Sequence, residues 1–150
     1  TGTGASKTWD SKDSDTILID LNAPIDQIII NTNEVEIPDT MLLPTSRKRL
    51  ISTKRVGDGT SSTVLAYFLA NQEFVKTVET TYKSESNSAW TGKRGMVYRK
   101  DEDRLEMVIP QPFEQRQPTV DGVNITTVCH LRTGGVALKI PKSVIYLDNI

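Results

Sequence analysis

A single cysteine, Cys129, among 150 residues excludes a disulfide within the chain and any zinc site built on four cysteines. His130 is the only histidine, so an imidazole base has one possible source. No apolar run approaches the roughly 20 residues needed to cross a bilayer, which excludes a transmembrane helix. Neither charge is in excess: 18 Lys+Arg face 19 Asp+Glu, and the sequence pI is near 5.8. A basic stripe of the kind that grips nucleic acid is therefore not expected. There is no initiator Met, and the opening TGTGASKTW has neither a basic n-region nor an apolar h-region. The reading is of a chain excised from a longer polypeptide, for which missing targeting signals carry no weight. At 16.7 kDa the chain is large enough for one hydrophobic core without staples.

What is present reads as follows. Residues 1–13 are rich in Gly, Ser and Thr and suggest a flexible lead-in or linker; residues 14–150 read as a single domain. Ile17, Leu18, Leu21, Ile25, Ile28 and Ile29 recur at three- and four-residue spacing, predicting a helix over 14–31 capped by Asp13 or Ser14. Pro24 predicts a kink, or a restart with Asn22 as a second cap. Thr40–Pro44 suits a short buried strand. A helix over Ser46 to Lys54 follows, with Arg47, Lys48 and Arg49 outward and Leu50 and Ile51 inward. A third helix begins at Ser61 or Ser62 and buries Val64, Leu65, Phe68 and Leu69.

Beyond Asn71 the character turns to β. Strands are predicted over 74–82, 96–99, 105–109, 125–132, 136–140 and 143–147. The polar stretch 84–95 reads as a loop, as does 110–122 with its three prolines. The strands 96–99 and 105–109 are expected to pair across the charged turn 100–104, and Gly134-Gly135 to close a second hairpin. Helices early and strands late indicate an α+β fold, mainly antiparallel, with about three helices packed on the sheet.

The candidate sites each have a plainer reading. Gly4-Ala5-Ser6-Lys7-Thr8 has Ser6 where a phosphate-binding loop needs glycine, and no strand precedes it. Cys129 and His130 suggest a nucleophile and base, but neighbours on a strand point to opposite faces. A buried structural cysteine and a sheet-face histidine fit better. Asp101-Glu102-Asp103 lacks the further ligands and the glycine of a calcium loop and reads as a solvated turn. Arg47, Lys48 and Arg49 read as a solvated helix face or a salt-bridging subunit contact. Asn124-Ile125-Thr126 matches a glycosylation acceptor, with nothing to imply secretion. No catalytic residue, cofactor or metal is assigned.

Three ordered signatures remain: Met41–Arg47; Met96–Asp101 with Leu105–Glu114; and Val128–Val136 followed by Ile140–Tyr146. In this order they resemble the C-terminal half of a tailed-bacteriophage major capsid protein of the Hong Kong 97 type, over roughly 13–150. The resemblance implies the axial domain of a capsomer subunit, with C-terminal strands returning to the peripheral domain. It places the family's N-terminal arm, extended loop and spine helix before Thr1. It further implies a structural, non-enzymatic protein of the virion, made in the bacterial host cytoplasm. Its partners would be copies of itself in pentamers and hexamers, with the isolated fragment monomeric and no sequence-specific nucleic acid or membrane partner. Under this reading residues 84–95 point at the capsomer axis. Trp90, Lys93 and Arg94, with Arg47, Lys48 and Arg49, are then the candidate subunit-interface residues. The alternatives are a shell protein of a cellular compartment with the same fold, or a hydrolase using Cys129 or His130.

Overall fold

A computed structural model describes residues 8–85 and 92–150. The elements run α1 Ser14–Asn31, β1 Thr40–Pro44, α2 Thr45–Thr53, α3 Val64–Asn71, β2 Thr77–Thr81, β3 Arg94–Tyr98, β4 Leu105–Val108, β5 Gln111–Gln115, β6 Thr119–Asp121, β7 Asn124–Thr126, β8 Cys129–Arg132, β9 Gly135–Leu138 and β10 Ile145–Asp148. They form two compact units, residues 1–100 with 140–150, and residues 101–139.

In the first unit the apolar stripe of α1 does what its spacing predicts: Ile17, Leu21, Ile25 and Ile28 are fully buried. Asp13 is the N-cap residue, and its carboxylate accepts from the Thr16 hydroxyl. Pro24 neither breaks nor restarts the helix, which stays helical throughout. The predicted interruption is overruled by packing: Pro24 and its neighbours Leu21 and Ile25 are buried, and their burial offsets one missing N–H. Asn22, expected as a second cap, instead donates to the Leu18 carbonyl at 2.9 Å and accepts from Gln72 at 2.8 Å.

α1 ends in a Schellman motif. Glu34 N–H bonds the Ile29 carbonyl at 2.8 Å and Asn33 N–H the Ile30 carbonyl at 3.2 Å, with Asn33 at φ 52°. Asparagine tolerates this left-handed conformation, but glycine adopts it without penalty. Asn33→Gly is expected to raise unfolding free energy by about 0.5 kcal/mol, and Asn33→Val to lower it by about 1–2 kcal/mol, in denaturant titration.

The sheet of this unit has the order β10-β3-β1-β2. β1 and β2 are parallel, so residues 45–76 with α2 and α3 form the crossover that such a pair requires. The other two pairings are antiparallel. Strand alternation sends Met41, Leu43, Val97 and Leu147 to the face that meets the helices, where they join Ile51, Val64, Phe68 and the α1 stripe. α3 is capped by Thr63, whose hydroxyl accepts from Ala66 N–H, rather than by Ser61 or Ser62. Leu69, predicted to be buried, is exposed.

The stretch preceding α1 departs from a flexible lead-in at its described end. Trp9–Ser11 is a single 3-10 turn, and Trp9 is fully buried, its indole N–H donating to Asp20 at 3.1 Å. Lys12 Nζ lies 2.5 Å from the same carboxylate oxygen, with both side chains buried. Asp10 takes both terminal nitrogens of Arg47, at 2.6 and 2.7 Å. At the other end of the unit Ile150 is also buried in the core.

The second unit is one antiparallel ribbon. β4 pairs with β9, β5 with β8 and β6 with β7, and Gly122-Val123 closes the tip. Gly122 sits at φ +61°, the sign a type II′ hairpin needs at its first central residue. Both expected hairpins are therefore corrected. β3 belongs to the sheet of the first unit instead of pairing with β4, and β8 and β9 are successive parts of one return strand. The proline-rich 110–122, expected as a loop, supplies β5 and β6. Its prolines fit because of where the register slips. Gln111 faces Arg132 but Glu114 faces His130, so Pro112 and Phe113 share Leu131. Arg116 N–H bonds the Val128 carbonyl at 3.0 Å while Thr119 faces Thr126, so Gln117 and Pro118 share Thr127. At both bulges the extra residue is on the outgoing strand, where a missing N–H breaks no ladder bond.

Candidate functional site

The basic residues singled out in the sequence do not form one exposed patch. Arg47 is the clearest correction: far from facing solvent, its side chain is buried and held in a two-point pairing with Asp10. The hydrogen bonds from Arg47 hold the Asp10 carboxyl below its ordinary range. Lys48 donates from Nζ to the Val78 carbonyl at 2.7 Å. β2 is an edge strand, so this lysine caps a backbone acceptor that another strand could otherwise use. Arg49 alone of the three is exposed.

Lys93 is drawn into a cluster around Ser46. Its Nζ donates to Ser46 Oγ at 2.7 Å and lies 3.6 Å from Glu85. Glu85 accepts the Ser46 N–H at 2.6 Å and the Ser46 hydroxyl at 2.7 Å. α2 has no cap from its own flank, since its N-cap residue is Pro44. Glu85 therefore satisfies a first-turn donor from a distant point in the chain and complements the positive end of the helix dipole. Burial pushes the Glu85 carboxyl up, but the two Ser46 hydrogen bonds and Lys93 outweigh it, and the net shift is below the ordinary 4.5.

A lowered folded pKa means the stabilisation is complete above the unfolded value and disappears as pH falls through the folded one. Glu85→Ala is thus expected to cost about 1–2 kcal/mol at neutral pH. The stabilities of variant and parent should converge in strongly acid solution, as followed by urea titration across pH.

Arg94 pairs through Nε with Asp148 and stacks over the Tyr146 ring, 5.1 Å from its centroid. Residues 86–91 lie outside the described residues, and the candidate anchor Trp90 is among them. The described flanks of that segment, Glu85 and Lys93, both meet Ser46. Ser46, Glu85 and Asp10 were not legible as partners, because each contact joins residues far apart in the chain. The one signal available was a helix whose N-terminus follows proline and so needs a cap from elsewhere.

Cys129 is exposed, which corrects the expectation of a buried structural thiol. A two-stranded ribbon has no interior in which to hide it. His130 is its neighbour on β8, on the opposite face, and lies across from Glu114. Asp101 accepts N–H bonds from Asp103, Arg104 and Leu105, which makes 101–105 a turn. Among the described residues no group of three or more His, Cys, Asp and Glu is placed to hold a metal ion. No helix among them is long and apolar enough to cross a membrane.

The described residues thus form a helix-backed sheet with a lysine on its β2 edge and, as a separate unit, an antiparallel ribbon. The sequence profile of a family described as "Major capsid protein" matches residues 1–150. The chain belongs to that family. Its fold is shared with the chain in "The capsid of Myoviridae Phage XM1", at TM-score 0.84 and 18% identity over 99% of this chain and 50% of that one. A second solved structure, "Crystal structure of virus-like particle from Pyrococcus furiosus", matches at TM-score 0.63 and 12% identity, covering 97% of this chain and 54% of that one. The family member described here therefore spans about half the length of these solved relatives. No curated protein matches the chain by sequence.

Proposed function

We propose that this chain is the axial part of a phage or prophage major capsid subunit, together with strands that return to its peripheral domain. Its work is self-association into pentameric and hexameric capsomers and then an icosahedral shell enclosing DNA. The subunit would be made in the host cytoplasm and end in the virion. The observation that carries this reading is the family match over residues 1–150, joined to a phage-capsid fold at TM-score 0.84. Ring contacts between identical subunits are heterologous, so one patch meets a different patch on the next copy.

Within this reading the six basic and aromatic candidates divide. Trp90 and exposed Arg49 are contact residues. Arg47, Lys48, Lys93 and Arg94 act on their own subunit, holding the Trp9–Ser11 turn, the β2 edge and the flank of 86–91. The test is electron microscopy of the protein expressed from its full reading frame, beside light scattering on the 150-residue chain. Closed particles from the former with a small soluble species from the latter support the proposal. A full-length protein that stays monomeric, without rings or particles, overturns it.

A further inference from the structure

The chain holds two Asp-Gly pairs, Asp58-Gly59 and Asp121-Gly122, and no Asn-Gly pair. Aspartate before glycine is open to attack by its own backbone. The glycine nitrogen bonds to the side-chain carboxyl carbon, and its proton leaves with a carboxyl oxygen as water. A five-membered succinimide ring results. Water then breaks either C–N bond of the ring, returning aspartate or leaving isoaspartate, whose main chain runs through the side-chain carbonyl and is one methylene longer. One water is lost and one regained, so mass is unchanged and no oxidant or reductant takes part. Glycine permits the attack because it has no side chain to shield its nitrogen.

The fold treats the two pairs differently. Both aspartates are exposed, and a methyl group at either glycine would meet nothing within 4 Å, so crowding blocks neither ring. What differs is how the backbone is held. Asp121 pairs with Asn124 as the last rung of the ribbon before its tip, and closing a ring there requires that rung to open. Asp58 lies in the turn between α2 and α3. Thr60 N–H bonds the Gly57 carbonyl at 3.3 Å and Gly59 has φ +86°, which is a type II turn. The Thr60 hydroxyl also donates to the Gly57 carbonyl at 2.9 Å and accepts from Gly57 N–H at 3.2 Å.

The bonds of this turn therefore belong to Gly57 and Thr60. Among the described residues no hydrogen bond involves Asp58 or Gly59, so the reacting pair is held by none of its own. Below the turn, Val56 N–H bonds the Ser62 carbonyl at 3.1 Å and Arg55 bridges Thr63. An added methylene is thus confined to residues 57–60, and the folded chain can carry the product.

We propose that Asp58 is a modification site that converts spontaneously to isoaspartate in the folded protein, while Asp121, in the identical dipeptide, is shielded by the ribbon ladder. The aged turn presents an exposed isoaspartate, the substrate of methyltransferases that esterify its free carboxylate from S-adenosylmethionine. The shielding of Asp121 is partial, because a two-stranded ribbon is marginally stable in water and its tip opens locally at small cost.

The experiment incubates the protein expressed from its full reading frame for weeks at neutral pH, folded and in guanidinium. Electron-transfer fragmentation in a mass spectrometer then locates isoaspartate, and methyl transfer from labelled S-adenosylmethionine counts it. The folded protein should hold roughly tenfold more isoaspartate at 58 than at 121, and the two sites should converge in guanidinium. Asp58→Glu, which could close only a six-membered ring, should lose most of the methyl acceptance of the folded protein. Equal yields at the two sites in folded protein, or more at Asp121, overturn the proposal. So does an intact Asp58 in folded protein that reacts in guanidinium, since the turn would then shield it. An Asp58 that stays intact in both conditions overturns the chemistry itself. Particle formation enters none of these readings, so they stand apart from the shell proposal.

Discussion

Trp9→Ala is expected to lower the unfolding free energy by about 3–5 kcal/mol, a loss of roughly 10 °C in midpoint temperature for a chain of this size. Trp9 lies outside the periodic stripe of α1 yet is, among the described residues, the largest fully buried side chain. Its removal leaves a cavity bounded by a helix and a short turn, neither of which can collapse far. It also strips Asp20 of the indole donor. Differential scanning calorimetry of the 150-residue chain checks the prediction. A midpoint within a few degrees of the parent would mean that the Trp9–Ser11 turn contributes little to the core.

The second large effect concerns the buried pair Lys12–Asp20. Asp20→Ala should cost about 3–5 kcal/mol, because Lys12 is left charged, buried and uncompensated. Removing both charges is a different matter. The double variant Lys12→Met, Asp20→Leu should regain most of the loss, as apolar replacements of a buried pair often do. It should still fall short of the parent by about 1–3 kcal/mol, since the Trp9 indole N–H has lost its acceptor. Chemical denaturation of Lys12→Met, Asp20→Leu and the double variant completes the cycle, with Asp20→Ala beside it. A double variant as unstable as Asp20→Ala would show that the pair itself, and not the stranded lysine, carries the energy.

These contacts mark where the sequence could be read and where it could not. Local periodicity was enough for α1, β1 and α3, because the stripe Ile17, Leu21, Ile25, Ile28 and the alternation Met41, Leu43 are set by backbone geometry alone. The α+β class followed from the order of such elements. Pairing was harder. Strands adjacent in sequence were paired by default, whereas β3 sits between β1 and β10 and β4 finds β9 across the whole ribbon.

The tip of that ribbon was signalled by Asp121-Gly122, overshadowed by prolines that read as loop until the bulges explain them. At the candidate interface, charge was read as exposure. Arg47 shows why this fails: a guanidinium enters a core when a carboxylate from another element meets it, and Asp10 lies far away in the chain. The partners of Ser46 and Asp20 were hidden for the same reason.

The bulges have a last consequence, one of length. Between the tip and Gln111–Arg132 the outgoing strand spends two more residues than the return strand on the same span. Two rails of unequal length describe an arc, and the longer one follows the outer side. The return strand therefore runs along the inner, shorter track.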